Sequence, residues 1–119
     1  MAYELASVFN EGLLEITIKG QGSKDEVKEL VLEVIDLAQR SNPENLLIDL
    51  RLAQGRLSIL ETFNIVYNYP RDTPQIRTVV VDSEENKSRL KFYETVSVNM
   101  GHPFRYFADI DKARAWLKS

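Results

Sequence analysis

The sequence predicts a single α/β domain with a mixed, mostly parallel five-stranded sheet and four helices. Short apolar or alternating segments typical of strands take turns with longer segments whose apolar residues recur at helical spacing. Such an alternation favours parallel strands joined by right-handed crossovers, and an initial hairpin adds one antiparallel strand. The predicted order is ββαβαβαβα over residues 1–119, with no linker, internal repeat or second domain.

The first part of the chain predicts a hairpin followed by a helix. Tyr3–Phe9 and Leu13–Lys19 carry alternating apolar residues, and the Asn-Glu-Gly segment between them suits a short turn. Ser23 and Glu26 form a capping box for a helix that extends through Arg40. The apolar face of this helix comprises Val27, Leu30, Val31, Val34, Ile35 and Ala38.

The middle of the chain predicts a central strand, a loop and a second helix. Asn45–Leu52 is apolar on both sides at its start, as expected for a strand that helices cover on both faces. The loop Ala53–Arg56 follows. Ser58 and Glu61 then form a second capping box, for a helix that ends near Tyr69.

The last part predicts two further strands and two further helices. Ile76–Val81 is a buried strand, and Asp82 caps a helix that ends at Gly101. Phe104–Phe107 is a short strand, and Asp109 caps the terminal helix. The inner face of the third helix is predicted to comprise Leu90, Tyr93, Val96 and Met100.

Composition excludes several classes of function. The 119 residues include no Cys, which excludes a disulfide framework, a thiol nucleophile and a zinc-thiolate site, and only one His, so we expect no metal or cofactor. A net charge of −3 gives no attraction toward nucleic acid or an anionic membrane. The first residues lack the basic and apolar regions of a signal peptide, and no apolar run is long enough to cross a bilayer. We therefore expect a cytoplasmic protein without membrane insertion.

The carboxyl ends of the parallel strands are the predicted binding edge. Loops that leave these ends run into helix N-termini, whose unpaired N–H groups favour an anion or a partner's carboxylate. Gly55 permits close approach, the guanidinium of Arg56 suits a carboxylate or phosphate, and Ser58 begins a helix there. Asp82 and Ser83 join them from the neighbouring loop. The competing interpretation is that these polar residues only cap their helices.

Nothing in the sequence indicates catalysis. His102 stands in a short loop with no recognisable nucleophile or orienting carboxylate, and no nucleophile-elbow motif is present. We therefore predict no catalytic residue and favour a non-catalytic binding module. The alternatives are a carrier or sensor of a small apolar or anionic ligand, and a small hydrolase or transferase.

Aromatic residues indicate where the chain associates with itself. Tyr67 and Tyr69 lie in a segment that we expect to be exposed, and tyrosine is favoured at interfaces, so they are predicted contacts of a homodimer. For Phe92 and Tyr93 we expect core packing instead.

Two stretches resemble a known family. NLLIDLRLAQGR (Asn45–Arg56) and KFYETVSVNMGHPFRYFADIDKARAWLKS (Lys91–Ser119) are similar to segments of the small bacterial SpoIIAA-like proteins, which have the STAS fold of anti-sigma-factor antagonists. The predicted order of elements resembles that fold over nearly the whole chain. These are structural features, so they bear more on the fold than on activity.

The resemblance implies a regulatory module that binds a protein partner, not an enzyme. In the anti-sigma-factor antagonists, the loop after the third strand meets a partner kinase, and a serine in an Asp-Ser motif there is phosphorylated. This chain lacks that motif, because Asp49 is followed by Leu50 and Arg51. Ser58 lies in a broadly similar place and is the candidate phospho-acceptor, while the resemblance leaves the partner open.

Overall fold

A computed structural model describes residues 3–55, 76–99, 101 and 103–119 of the chain. The described elements are β1 Tyr3–Asn10, β2 Leu13–Gly20, α1 Lys24–Ser41, β3 Asn45–Ala53, β4 Arg77–Val81, a 3-10 turn Glu84–Asn86, α2 Lys87–Asn99, β5 Phe104–Phe107 and α3 Ile110–Lys118. Three α-helices are therefore described. The predicted helix from Ser58 to Tyr69 lies outside the described residues.

The strands form one mixed five-stranded sheet, as predicted, in the order β1-β2-β3-β4-β5. β1 pairs antiparallel with β2, and the pairs β2–β3, β3–β4 and β4–β5 are parallel. The hairpin turn consists of Glu11 and Gly12, both with positive φ, as a two-residue type I′ turn requires. β3 lies at the centre of the sheet, which confirms the prediction from its apolar residues.

One face of the sheet, the α1 face, is covered by α1. The alternation of side chains along each strand directs every second residue toward this helix. Leu14, Ile16 and Ile18 of β2 are buried there, and α1 contributes the apolar stripe that its sequence predicts. The buried members of this cluster are Tyr3, Leu14, Ile16, Ile18, Val27, Val34, Ala38 and Leu46.

The opposite face, the α3 face, is covered by the C-terminal helix. The intervening residues of β3 and β4 point this way, so β3 contributes buried leucines to both faces. The buried members of the second cluster are Leu47, Val79, Val81, Ala113 and Leu117. Asp109 caps α3 as predicted, because its Oδ1 accepts the N–H groups of Asp111 and Lys112 at 2.8 and 3.2 Å.

The start of α2 differs from the prediction. The N-cap is Ser83 rather than Asp82, and a 3-10 turn precedes the α-helix. Asp82, the residue after β4, is still tied to the sheet, since its N–H donates to the carbonyl of Phe107 at 3.2 Å. Because its carboxylate accepts the N–H of the next residue at 2.7 Å, Asp82 stabilises a tight turn instead of a helix end.

The inner face of α2 also differs. Tyr93 is buried, as predicted, and its ring centre lies 4.9 Å from that of Phe104. Leu90 and Val96 are only half-buried, and Met100 lies outside the described residues. The other buried residues of α2 are Glu94 and Ser97. Phe92, for which we expected core packing, is 57% exposed. Glu94 faces inward because its Oε1 accepts the backbone N–H of Tyr106 at 3.0 Å, on the outer edge of β5. The hydrogen bond that the backbone N–H of Tyr106 needs therefore decides which side of α2 faces inward, and not the spacing of its apolar residues.

No helix among the described residues is long and apolar enough to span a membrane.

Candidate functional site

The predicted binding edge lies where β2, β3, β4 and β5 end and the following helices begin. Of the five predicted site residues, the structure describes Gly55 after β3 and Asp82 and Ser83 after β4. Arg56 and Ser58 lie outside the described residues, as do the predicted dimer contacts Tyr67 and Tyr69 and the loop residue His102.

The described site residues share an edge but lie at different heights along it. Asp49 of β3 is the register partner of Val81, the last residue of β4. β3 then continues through Leu50–Ala53, which extends it by about 13 Å beyond β4 at the rise of a strand. Gly55 therefore follows a strand end that projects beyond the turn at Asp82 and Ser83. A partner that contacts both must be larger than a small ion.

The backbone conformation at Gly55 and the close approach of Tyr3 both require a glycine at this position. Its φ of +90° lies in the left-handed region that favours glycine, and an added Cβ would stand 2.8 Å from the hydroxyl of Tyr3. That hydroxyl donates to the carbonyl of Gln54. The same ring would meet a Cβ on Gly22 at 2.8 Å. Tyr3 is thus held between the two glycines, and it fixes the point where the chain leaves β3.

Asp82 and Ser83 form a turn in which Asp82 is buried and Ser83 is half-buried. The Asp82 carboxylate is fully buried, and its Oδ1 also accepts the Asn86 side-chain amide at 3.3 Å. The hydroxyl of Tyr106 lies 3.2 Å from the carbonyl of Asp82 and donates to it. Burial, together with the negative charges of Glu84 and Asp82, raises the pKa of that hydroxyl above its usual value. The phenol therefore remains a donor and holds the turn against β5.

At two of the helix N-termini of this edge, capping side chains already accept backbone N–H groups of the first turn. Ser23 and Glu26 form the predicted capping box at α1, with hydrogen bonds of 3.2 and 2.9 Å. Asp109 occupies two N–H groups of α3. A small anion at α1 or α3 would have to displace these caps, which contribute about 1 kcal/mol each.

The edge carries side chains of both charges. Carboxylates stabilise the first turn of a helix, which explains their number here. The carboxylates of the described loops and first turns are Asp25, Glu26, Asp82, Glu84, Glu85, Asp109 and Asp111. The basic groups of the same regions are Lys19, Lys24, Arg51, Lys87, Arg89 and Lys112. The described residues contain no group of three or more side chains arranged to hold a metal ion.

Asp49 and Arg51 of β3 form an ion pair on the α3 face, close to the carboxyl edge. Arg51 donates from Nε and Nη2 to the two carboxylate oxygens of Asp49 at 3.0 and 2.8 Å, and its backbone N–H adds a third bond at 3.1 Å. Burial alone raises the pKa of Asp49, but the hydrogen bonds and charge of Arg51 outweigh it and hold that pKa below its usual value. The nearby charges of Asp109 and Asp111 also help to raise the pKa of Arg51, after its bond to Asp49.

Sequence reasoning missed the role of Asp49. An Asp and an Arg two residues apart on a strand point to the same face, and this spacing alone predicts the pair. No spacing in the sequence predicts the second bidentate ion pair. Arg114 of α3 donates to Glu15 of β2 at 3.2 and 2.9 Å, although 99 residues separate them. Only the packing of α3 across the sheet brings these two side chains together.

Comparison with known proteins identifies the fold. No family model and no curated protein matches the sequence. In structure, the chain is similar to an anti-sigma factor antagonist from Mycobacterium paratuberculosis, with a TM-score of 0.64 and 15% sequence identity. The match covers 98% of this chain and 95% of that chain. The resemblance that the sequence indicated is therefore confirmed for the fold.

Proposed function

We propose that this chain is a non-catalytic regulatory module of a bacterial cytoplasm that acts by binding a protein partner. The observation that carries the proposal is the structural match to an anti-sigma factor antagonist over nearly the full length of both chains. An antagonist of this kind acts on another protein, and a shared fold of matching extent favours a similar mode of action here. A shared fold does not by itself determine function, so a contact surface for the partner must be identified on this chain.

The proposed contact surface is the carboxyl edge at Gly55, Arg56, Ser58 and Ser83. Asp82, which was predicted to belong to it, is fully buried and would act by holding the turn that carries Ser83. The stagger between the end of β3 and the turn after β4 supports a macromolecular partner, because one small ligand would not reach both. The caps at α1 and α3 support the same choice, since these helix N-termini keep few free donors for an anion.

Charged side chains of both signs at the edge favour a partner surface with complementary charges. Arg56 would pair with a carboxylate of that surface. Interactions of this type set the association rate and the choice of partner, and salt screens them. We therefore expect binding to weaken as the ionic strength rises.

Quantitative affinity capture from cells of the source organism tests the proposed edge. Arg56→Ala should reduce recovery of the partner by about tenfold, the loss expected for one charge-assisted hydrogen-bonded contact. Ser58→Asp should preserve a helix cap while it adds negative charge, and it should also change the recovery. Arg40→Ala is the matched control, because Arg40 lies at the other end of α1 in an exposed pair with Asp36.

Equal recovery of every bound protein with the wild type, Arg56→Ala and Ser58→Asp would show that this edge is not the site. Native mass spectrometry of the purified chain tests the other classes. A small molecule retained in stoichiometric amount would favour a carrier or sensor, and conversion of an added substrate would favour an enzyme. The regulatory proposal expects neither result.

A further inference from the structure

We propose that β1 is the interface of a homodimer, in which it pairs antiparallel with β1 of a second copy and joins the two sheets edge to edge. Among the described strands, β1 has a neighbour on one side only. Its exposed side chains include Val8 at 66% and Phe9 at 50%. A long edge strand that exposes apolar side chains favours pairing with another strand.

The hairpin turn fixes which backbone groups of β1 face outward. A two-residue turn places Asn10 and Leu13 at its ends, and the β-turn hydrogen bond joins these two residues. Hydrogen-bonded and non-hydrogen-bonded pairs then alternate along an antiparallel ladder. The N–H and C=O groups of Leu5, Ser7 and Phe9 therefore point away from β2. These N–H groups donate to no other described element.

The β1 sequence is complementary to itself in one register. If Ser7 lies opposite Ser7 of the second copy, Leu5 lies opposite its Phe9 and Ala6 opposite its Val8, so apolar side chains meet on both faces of the joined sheet. The hydrogen-bonded pairs are Ser7 with Ser7, Leu5 with Phe9, and Phe9 with Leu5, and each exchanges two N–H···O=C bonds.

Charge and alternative registers support this choice. The Ser7-centred pairing places Glu4 opposite Asn10 of the second copy, so no like charges meet. A pairing centred on Ala6 would also align the outward groups, but it would set Glu4 against Val8 and Leu5 against Ser7. Because the pairing has two-fold symmetry, it closes after two copies and does not extend into a fibre.

The opposite edge of the sheet is less suited to pairing. β5 has four residues, and Glu94 of α2 covers its outer side by accepting the N–H of Tyr106. The same carboxylate also binds Lys91 at 2.8 Å and Arg105 at 3.2 Å, which fixes it in place. Among the described strands, β1 is therefore the edge that a second copy would use.

Analytical ultracentrifugation over a range of concentrations tests the proposal. The wild type should be a dimer. Ser7→Pro removes the outward N–H, which an edge strand tolerates, and should raise the dimer dissociation constant about thirtyfold through the loss of two hydrogen bonds. Ser7→Ala keeps that N–H and should remain dimeric. Phe9→Lys should dissociate the dimer, whereas Val98→Lys, at a similarly exposed apolar position on α2, should not.

Disulfide trapping tests the register separately. The chain has no Cys, so a single introduced thiol gives an unambiguous product. Ser7→Cys should cross-link readily, because paired Cα atoms in this register stand about 5.5 Å apart, within the range of a disulfide. Ala6→Cys and Val98→Cys should cross-link only at the slow rate of random collision.

Circular dichroism of each variant must match the wild type for the comparison to hold, and Phe9→Lys and Ser7→Cys provide independent readings if Ser7→Pro does not fold. A wild type that remains monomeric at its highest soluble concentration would overturn the proposal. So would a dimer that persists in Ser7→Pro and Phe9→Lys. Dissociation by Tyr67→Ser or Tyr69→Ser alone would place the interface at the tyrosines instead and would also overturn it.

Discussion

The two faces of the sheet are stabilised by different interactions. On the α1 face, apolar side chains of β2, β3 and α1 form a continuous buried cluster around Ile16. On the α3 face, a smaller cluster around Val79 is bordered by bidentate ion pairs and by arginines that stack on Trp116. Among the described residues, the larger buried apolar cluster lies on the α1 face, so we expect substitutions on that face to lower stability the most. The α3 face presents charges that continue toward the candidate binding edge.

The largest expected effect is at the centre of the α1 face. Ile16 is fully buried, so Ile16→Ala removes a well-packed side chain and leaves a cavity. We expect the free energy of unfolding to fall by about 3 kcal/mol, measured by urea denaturation. Leu32→Ala, at an exposed position of α1, is the control and should cost less than about 0.5 kcal/mol. Equal losses in the two variants would contradict this description of the core.

A smaller loss is expected on the α3 face. Leu117 is buried in the second cluster, but it lies near the end of α3, where the chain can adjust to the space left by a smaller side chain. Leu117→Ala should lower the free energy of unfolding by about 2 kcal/mol in the same assay. A loss larger than that of Ile16→Ala would reverse the proposed ranking of the two faces.

The stacking on Trp116 is expected to contribute less again. The guanidinium of Arg77 lies 4.4 Å from the ring centre, and its Nη2 donates to the Trp116 carbonyl at 3.1 Å, near the end of α3. Arg77→Met should cost about 1 kcal/mol and change the fluorescence of the chain's single tryptophan. Arg77→Lys, which keeps the charge, should retain part of the stability; an unchanged spectrum in Arg77→Met would show that the contact does not form in solution.

The smallest expected effect depends on pH. Because Arg51 holds the pKa of Asp49 below its usual value, the pair stabilises the fold above the unfolded-state pKa of about 4 and loses this effect as the pH falls through the lower folded-state pKa. Arg51→Met should be less stable than the wild type at pH 7, by less than about 1 kcal/mol because Arg51 is partly exposed. The difference should vanish in strong acid.

Urea denaturation at a series of pH values measures this difference directly. Arg40→Met, which removes the exposed pair with Asp36, is the control and should show little effect at any pH. A stability difference for Arg51→Met that stays constant down to strong acid would mean that the arginine acts through packing rather than through its charge.

Most of the fold could be predicted because its determinants are local. The capping box at Ser23 and Glu26, the apolar stripe of α1 and the cap at Asp109 each act within one or two turns of chain, and the structure contains all three. The apolar start of β3 correctly indicated a central strand. Pattern and capping chemistry are sufficient where neighbouring residues determine the outcome.

The predictions for α2 and for Asp82 were wrong where contacts with a segment distant in sequence determine the structure. Glu94 faces inward because β5 needs an acceptor, and nothing within α2 indicates that need. Asp82 forms a turn in part because its N–H donates to the carbonyl of Phe107 in β5. That the candidate residues share one edge was predictable, since the carboxyl ends of parallel strands lie at the same edge of a sheet. The stagger between Gly55 and Asp82 depends on how far β3 extends beyond the end of β4. No local pattern encodes that difference in length.

Hydrogen–deuterium exchange of the chain with and without its captured partner tests most directly whether the carboxyl edge is the working surface. We predict slower exchange in the complex at residues 54–58 and 82–86, with no change at residues 41–45 on the opposite edge of the sheet. Slower exchange at residues 41–45 without any at residues 54–58 would contradict the account.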